Sequence, residues 1–458
     1  MSWTLGELAD FCGGELRGDG ATPVSGVSTD TRSLERGQLF VAIRGQRFDG
    51  HDYLSDALAK GAAGVLISRE CEISGSAIRV DDTVRALGDL AARHRQSFSG
   101  PVVAITGSNG KTTTKEMCAG ILGANGLRVC RSRGNLNNHI GLPLSLLTLE
   151  LDDDALLVEM GMNHEGEIAQ LATIASPTVG AVTNIAPAHL GPLGSLEAIA
   201  RAKGELFEHI RPGGTAVVNA DDSHCVEQSK RFPGRTLRFG RHPSADFRAL
   251  SVSTTGEGES FDLETGTGRV RIQLYAPGEH LVEDALCAAT AAAATGLLGP
   301  RPLQAIRTGL AAFEAVEGRL TLRRAPGEVT LLDDTYNANP QSVAAALSTL
   351  ATHGRRGRTI AVLGDMLELG SEAEALHADV GRAVAERAID VLVAVGTLSA
   401  HTAGSAAEGG VGETLRVQDA NGAAQCVAKI VRAGDTVLVK GSRGMRMERV
   451  VAALMEPA

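Results

Sequence analysis

The sequence predicts an α/β protein of about three domains, and three observations carry that expectation. The chain has 458 residues, and at roughly 100–200 residues per domain that length suggests three. Short apolar runs alternate with helical patterns along most of it, the signature of parallel sheet with helical crossovers. Glycine is abundant at 55 residues while aromatics make up only 3%, which suits Ala/Val/Leu-built layers with tight turns better than an aromatic-rich sandwich.

Composition also excludes several classes. Hydrophobic residues at 43% and charged residues at 21% are ordinary for a folded chain, so disorder, collagen-like repeats and coiled coil are poor descriptions. A net charge of -10 argues against a general nucleic-acid binder, whose phosphate contacts need a basic surface. The seven cysteines, Cys12, Cys71, Cys118, Cys130, Cys225, Cys287 and Cys426, are scattered and form no CxxC. That pattern predicts reduced thiols and a cytoplasmic location. The start, MSWTLGELADF, has no basic n-region and carries Glu7 and Asp10, so no signal peptide is expected. The most apolar stretch, residues 285–299, is too short to span a bilayer and reads as a buried helix.

Taken in order, residues 24–27, 38–42 and 64–67 read as strands, with a helix over 52–60 between the last two. Residues 82–99 form an amphipathic pattern with Val84, Leu87, Leu90 and Ala91 on one face, a helix that would connect a first domain to a second. At Pro101 the pattern changes: PVVAITG is an apolar strand and 111–122 is helical. Alternation then continues to about Val316, with a Ser/Thr/Gly-rich, β-rich or loop segment over 238–273. Beyond it, strands at 329–333, 359–363, 391–395 and 436–440 alternate with helical patterns such as 372–388 and 420–431, predicting a parallel sheet. No GxGxxG follows any of these strands, so a dinucleotide site has no support. No internal repeat of short period is present. The expected domains are 1–84, 85–316 and 317–458.

The strongest local signal is AITGSNGKTTTKEM, residues 104–117, where a strand runs into a Gly-rich turn and Lys111, Thr112 and Thr113 open a helix. Gly107 and Gly110 let backbone N–H groups face a phosphate, and the helix N-terminus adds positive potential. Lys111 would reach the β- and γ-phosphates and the Thr112 hydroxyl would hold Mg²⁺. The general phosphate-loop pattern would require Gly where Ile105 stands, so this loop is a shortened form.

The loop TGSNGKTTT resembles that of the Mur ligase family, which includes folylpolyglutamate synthase. Further segments carry the same resemblance. EMGMN places Glu159 at a strand end, as a Mg²⁺ ligand would be. TNIAPAHLGPLGSLEAIARAKGELF holds His189, which the resemblance puts near a second Mg²⁺, and Lys203, which it implies is carbamylated by CO₂. VEGRL carries Arg319, at the family position that meets the γ-phosphate, and residues 316–319 would form a hinge. LLDDTYNANPQS places Asp334 where the family holds the ribose hydroxyls, with Asn337 beside it. The DDTYNANP form, VLGDMLELG and LVKGSRGMRME resemble the MurF-type branch, which adds D-alanyl-D-alanine.

Residues 27–67 resemble the UDP-substrate domain shared by MurE-type and MurF-type ligases, where Ser28, Thr29, Asp30, Thr31 and Arg32 would contact the UDP-muramoyl group. GNLNNHIGLPL offers Asn137 and Asn138 as substrate contacts. One segment departs from the family: its GxHNxxN stretch, whose second Asn contacts adenine, is GEHLVEDALCAAT here, with Leu281 and Asp284 in place of the two Asn. An Asp accepts from the adenine amino group but has no N–H₂ to donate, which predicts reduced purine discrimination.

The resemblance therefore implies a three-domain α/β architecture: a small N-terminal domain, a central P-loop ATPase-like domain with Ser108 and Asn109 also in its nucleotide loop, and a C-terminal Rossmann-like parallel-sheet domain. It implies an ATP-dependent amide ligase joining D-alanyl-D-alanine to the peptide carboxylate of UDP-N-acetylmuramoyl-tripeptide through an acyl phosphate. ATP and two Mg²⁺ would be required, and no nucleic acid or membrane insertion is expected of the chain, which would be a monomer. The alternatives are a MurE-type ligase adding a diamino acid and a folylpolyglutamate synthase-like ligase. No DNPR-like amine-selecting motif supports the first.

Overall fold

A computed structural model describes residues 3–187, 190–255, 258–354 and 357–456, and every count below refers to those residues. Three sheets of five, nine and six strands account for the architecture, with a small ribbon pairing Trp3–Thr4 against Pro23–Val24. In the N-terminal sheet, Gly26–Ser28, Gln38–Val41, Gly64–Ile67 and Ala77–Arg79 run parallel, and Glu15–Arg17 closes one edge antiparallel.

The central sheet carries the chemistry. Its strands β1 (Val102–Thr106) and β2 (Ala155–Glu159) are adjacent and parallel. Both are buried along their whole length, as an apolar run in a doubly covered sheet must be. Outward from β1 the order continues through Val179–Val182, Thr215–Asn219, Arg235–Gly240 and Phe247–Thr255, all parallel. Gly258–Thr265 and Gly268–Leu274 then extend it antiparallel. The Ser/Thr-rich segment of the sequence is this extension. One face of the sheet is covered by helices α1 (Lys111–Ala124) and α2 (His280–Ala294), whose buried Met117, Ile121, Ala285 and Ala289 share one core with Val103 and Ile105.

The opposite face shares its core with the N-terminal domain. Helix Thr83–Gln96, capped by Asp82 accepting from the Val84 and Arg85 amides, buries Leu87 and Leu90 between Leu5 and Leu8 on one side and Leu142 and Leu171 on the other. The expected connecting helix therefore joins the two domains through packing as well as through the chain.

In the C-terminal sheet, β3 (Val329–Asp334) and β4 (Thr436–Lys440) are parallel neighbours. Thr359–Gly364, Val391–Val395 and Glu413–Val417 continue outward from β4 in parallel, while Thr321–Ala325 adds to β3 antiparallel. Helix α3 (Pro340–His353) follows β3. Asn339 and Ser342 form a reciprocal capping box, and Pro340 occupies the first turn where its missing N–H costs nothing.

Several expectations shift on contact with the structure. The run at 24–27 is broken at Ser25, with Val24 pairing to the N-terminal ribbon and Gly26–Ser28 to the sheet. The helix at 52–60 starts as a 3₁₀ turn, Gly50–Tyr53, under an Asp49 cap before Leu54–Ala59 becomes α-helical. The apolar helix at 285–299 begins earlier and ends sooner, as α2, because His280, Glu283 and Asp284 interrupt its first turns with polar residues. Thr321–Ala325 and Glu413–Val417 were not expected: TLRRA and ETLRV carry charges on half-exposed edges, where a strand needs no apolar run.

Candidate active site between the central and C-terminal domains

A cavity of about 590 Å³ opens between the central and C-terminal sheets, beyond the carboxyl ends of β2 and β3 and at the loop that leaves β1. Ligands in open α/β sheets bind at such strand ends, because helix N-termini and loop amides converge there.

The loop after β1 is forced into shape by its glycines. Gly107 has φ +145°, and a Cβ there would fall 1.8 Å from Thr183 Oγ1. Gly110 has φ +79°, and a Cβ there would fall 1.9 Å from Asp284 Oδ1. No other residue fits either position without displacing its neighbour. The segment after Val182 straps the loop in place. Ser108 N–H donates to Asn184 O at 2.9 Å, Asn109 N–H to Asn184 Oδ1 at 3.0 Å, and Thr183 Oγ1 to Asn109 O at 2.6 Å.

At the N-terminus of α1 four candidate residues meet. Thr112 Oγ1 donates to Glu159 Oε2 at 2.6 Å, Asn137 Nδ2 donates to Glu159 Oε1 at 2.7 Å, and Arg319 Nη2 donates to Thr112 Oγ1 at 2.8 Å. Arg319 thus crosses from the C-terminal side onto the phosphate loop. The Thr112 hydroxyl and Glu159 carboxylate are hard oxygen donors side by side, a set that suits Mg²⁺. Among the described residues no group of three or more His, Cys, Asp and Glu converges. A magnesium ion here would complete its shell with phosphate oxygens and water, as Mg²⁺ commonly does.

Two lysines point at one carbonyl. Lys111 Nζ donates to Gly107 O at 2.9 Å and Lys203 Nζ to the same oxygen at 3.0 Å. Burial, with the Lys111 charge added, holds the Lys203 ammonium well below the usual lysine range. A neutral buried amine is the form that attacks CO₂, so the environment fits a carbamate. Lys111 is also lowered by burial, while Glu159 pulls it back up.

Asp284 is buried against Gly110, and burial together with Glu283 pushes its carboxyl well above the ordinary range. The structure thus sets the residue that replaces the family Asn beside the phosphate loop. His280, one turn earlier on α2, lines the cavity, and its buried Nδ1 has no hydrogen-bond partner among the described residues. Such an atom is available to a ligand.

On the C-terminal wall Asp334 Oδ2 accepts from Lys440 Nζ at 2.6 Å and its Oδ1 from Leu320 N–H at 3.1 Å. Lys440 also donates to Asn337 O at 2.9 Å, which fixes the turn that follows β3. The hinge segment is conformationally marked: Gly318 has φ +71° and Leu320 φ +52°, a left-handed geometry that strains a leucine. Two amides link the walls, with Asn109 Nδ2 donating to Gln341 Oε1 at 2.6 Å and Asn339 Nδ2 to Asn109 Oδ1 at 2.7 Å. Ser108 and Thr113 also line the cavity.

Asn138 also lines the cavity, and its Oδ1 accepts from the Ile140 and Gly141 amides, so its oxygen organises the loop. The remaining expected residues are placed differently. Ser28, Thr29, Asp30, Thr31 and Arg32 form a separate turn at the end of Gly26–Ser28 and are not among the residues lining the cavity. There Ser28 Oγ accepts from the Asp30 amide, and Arg32 forks onto Asp30, holding that carboxyl down at about 2. His189 lies outside the described residues. Sequence reasoning missed Lys440, Tyr336, Asn339, Gln341 and Arg443 as cleft residues. The first four stand in or beside DDTYNANPQS and at a strand end, and Arg443 in the basic turn after β4, the same signal that found Asp334.

This is the outline of an ATP-dependent ligase site: a phosphate loop, a carboxylate beside it and an arginine reaching over from a second domain. Comparison with known proteins makes the class definite. Family models for the Mur ligase family catalytic domain, the Mur ligase middle domain and the Mur ligase glutamate ligase domain match residues 23–95, 105–292 and 318–443. The chain is 42% identical to UDP-N-acetylmuramoyl-tripeptide--D-alanyl-D-alanine ligase of Escherichia coli (strain K12), covering 100% of this chain and 99% of that protein. The crystal structure of MurF from Acinetobacter baumannii superposes with a TM-score of 0.91 at 34% identity over 100% of this chain and 99% of that one. MurF ligase from Thermotoga maritima, in complex with ADP, matches at TM-score 0.80 and 29% identity over 94% and 96%. The chain belongs to the Mur ligase family. Within it, the similarity runs along the full length to MurF-type ligases.

Proposed function

We propose that the cleft activates a carboxylate as an acyl phosphate and hands it to an amine, with the residues around the phosphate loop supplying position and charge. The chain is an ATP-dependent ligase. It joins D-alanyl-D-alanine to the peptide carboxylate of UDP-N-acetylmuramoyl-tripeptide, giving UDP-N-acetylmuramoyl-pentapeptide, ADP and phosphate in peptidoglycan precursor synthesis. The diamino-acid-adding and glutamate-adding alternatives are not favoured, since the full-length 42% identity is to a D-alanyl-D-alanine ligase.

The observation that carries the mechanistic reading is the meeting of Thr112, Glu159 and Arg319 at the N-terminus of α1. A carboxylate is a poor electrophile, so one of its oxygens must first take the γ-phosphoryl group of ATP. In that transfer the amides of residues 110–113 at the N-terminus of α1 cradle the phosphates, Lys111 lies along the β- and γ-oxygens, and Arg319 neutralises the charge gathering on the γ-group. Asp334 and Asn337 take the ribose, and His280 and Asp284 flank the nucleotide on α2. Thr112 and Glu159 would hold a Mg²⁺ ion, which would supply further neutralisation of phosphate charge, and carbamylated Lys203 and His189 would hold a second. Ser28, Thr29, Asp30, Thr31 and Arg32 hold the UDP end of the acceptor, while Asn137 and Asn138 meet its peptide end.

The amine nitrogen of the incoming dipeptide then attacks the acyl carbon. The C–O bond to phosphate breaks, phosphate departs with that oxygen, and the nitrogen loses a proton. Closure of the C-terminal domain about residues 316–319 keeps water from the acyl phosphate, and the Asn109 bridge to Asn339 and Gln341 supports such a closure. Residues 1–84, 85–316 and 317–458 are then the acceptor, nucleotide and amine domains of a monomer acting in the cytoplasm. No helix among the described residues is long and apolar enough to cross a membrane.

Isotope transfer tests the reading. With ¹⁸O in the tripeptide carboxylate, one labelled oxygen must arrive in the released phosphate; phosphate free of label would exclude an acyl phosphate.

A further inference from the structure

We propose that Arg443 receives the terminal carboxylate of the incoming dipeptide, making it the residue that selects a dipeptide acid over a neutral amine. The proposal rests on the ligase activity stated above, which delivers an amine substrate that carries its own carboxylate into the cleft.

Five basic side chains line the cavity: Lys111, Lys203, Arg319, Lys440 and Arg443. Lys111 and Lys203 are turned onto Gly107 O beneath the phosphate loop, and Arg319 is on the Thr112 hydroxyl. Lys440 is paired to Asp334 at 2.6 Å. Arg443 is exposed to the cavity, and among the described residues no carboxylate lies within ion-pair distance of it in the salt bridges of the protein. Its guanidinium carbon lies over an aromatic face, 6.0 Å from the centroid of the Tyr336 ring. A guanidinium presents a planar fork that matches a carboxylate in two parallel hydrogen bonds.

The Arg319 guanidinium carbon lies 4.0 Å from the centroid of the same Tyr336 ring. The two guanidinium carbons are therefore separated by at most about 10 Å, and a dipeptide extended at roughly 3.5 Å per residue spans about 7 Å. A dipeptide whose carboxylate is clasped by Arg443 is therefore long enough to bring its amine toward the group that Arg319 touches.

The turn bearing Arg443 is anchored on both sides: Ser442 N–H donates to Asp365 O at 3.1 Å, Leu367 N–H donates to Ser442 Oγ at 2.9 Å, and Met447 is fully buried. Leu367 lies against Gly444, where a Cβ would meet its side chain at 3.0 Å, and it remains 42% exposed. That exposed apolar side chain, next to the cation, offers a surface for the methyl groups of the dipeptide.

The test compares D-alanyl-D-alanine with its C-terminal amide as amine substrates, at saturating ATP and UDP-acceptor, in the wild type and in Arg443→Ala and Arg443→Lys. The wild type is expected to favour the acid by about 100-fold in kcat/KM, the strength of a charge-assisted pair in a partly enclosed site. Arg443→Ala should lose about that factor on the acid and little on the amide, so that its preference collapses to within about threefold. Arg443→Lys should recover part of it, since a point charge replaces the fork. An unchanged KM for ATP in both variants reports an intact nucleotide wall. An Arg443→Ala enzyme that keeps the full preference for the acid, or a wild type with none, overturns the proposal while leaving the ligase reading in place. A wild type that ligates neither dipeptide overturns both.

Discussion

On the central wall of the cleft, Thr112, Glu159, Lys203 and Asp284 are buried, and each is held by another residue of the same domain or packed against its loop. On the C-terminal wall, Arg443 and Leu367 are exposed and Tyr336 is only half-buried, while Asn339 and Gln341 spend their amides on bonds across to Asn109. The difference follows from what each wall handles. Phosphate chemistry gains most from donors fixed in advance in a site of low dielectric, because they need not reorganise as charge moves. An amine that must enter after the acyl phosphate has formed needs a wall that opens, and contacts made across the cleft are ones that domain motion can break.

Removing a fixed group from the central wall should therefore cost most. Lys111→Ala is expected to lower kcat by about 1,000-fold with a smaller change in KM for the dipeptide, measured by phosphate release. A loss confined to KM would mean that Lys111 binds ground-state phosphate without acting on the transition state. Lys203→Ala comes next, at about 100-fold. In the wild type, ¹³C-labelled bicarbonate should give a carbamate resonance that this variant lacks; retained ligation by the variant would remove the metal-organising role.

Across the cleft the expected effects shrink. Gln341→Ala breaks one amide link and should lower kcat/KM for the dipeptide by about tenfold, the worth of a partly buried hydrogen bond, while Asn109→Ala breaks both and should lower it further. Solution scattering should show the closed form less populated in the variants with ATP and acceptor bound; equal profiles with and without ligands in the wild type would deny closure altogether. The smallest effect concerns the base. Asp284→Asn restores an amide N–H₂ and should raise the preference for ATP over GTP and ITP by about threefold. Asp284 sits against the phosphate loop, so an unchanged preference would assign it wholly to shaping Gly110.

The same contrast decides what could be read from the chain. The central wall was legible because its groups are short-range in sequence or stand at strand ends: Lys111 and Thr112 follow Gly110 directly, and Glu159 closes β2. Contacts such as Arg319 with Thr112, or Asn339 with Asn109, join residues more than 200 positions apart, and no local spacing announces them. Arg443 looks in sequence like any basic turn, and only the pairing of Lys440 with Asp334 reveals that its neighbour is spoken for. The edge strands Thr321–Ala325 and Glu413–Val417 were hidden for a related reason: their charges suit solvent, so the apolar pattern that betrays buried strands is missing.

The central claim is that this cleft joins one particular carboxylate to one particular amine, and a competition assay tests it most directly. Purified protein with ATP and Mg²⁺ is offered UDP-N-acetylmuramoyl-tripeptide with D-alanyl-D-alanine, UDP-N-acetylmuramoyl-dipeptide with a diamino acid, and a folate with glutamate, and phosphate release and product mass are followed. The account predicts turnover with the first pair and a product of pentapeptide mass. Faster turnover with either of the other pairs would contradict it.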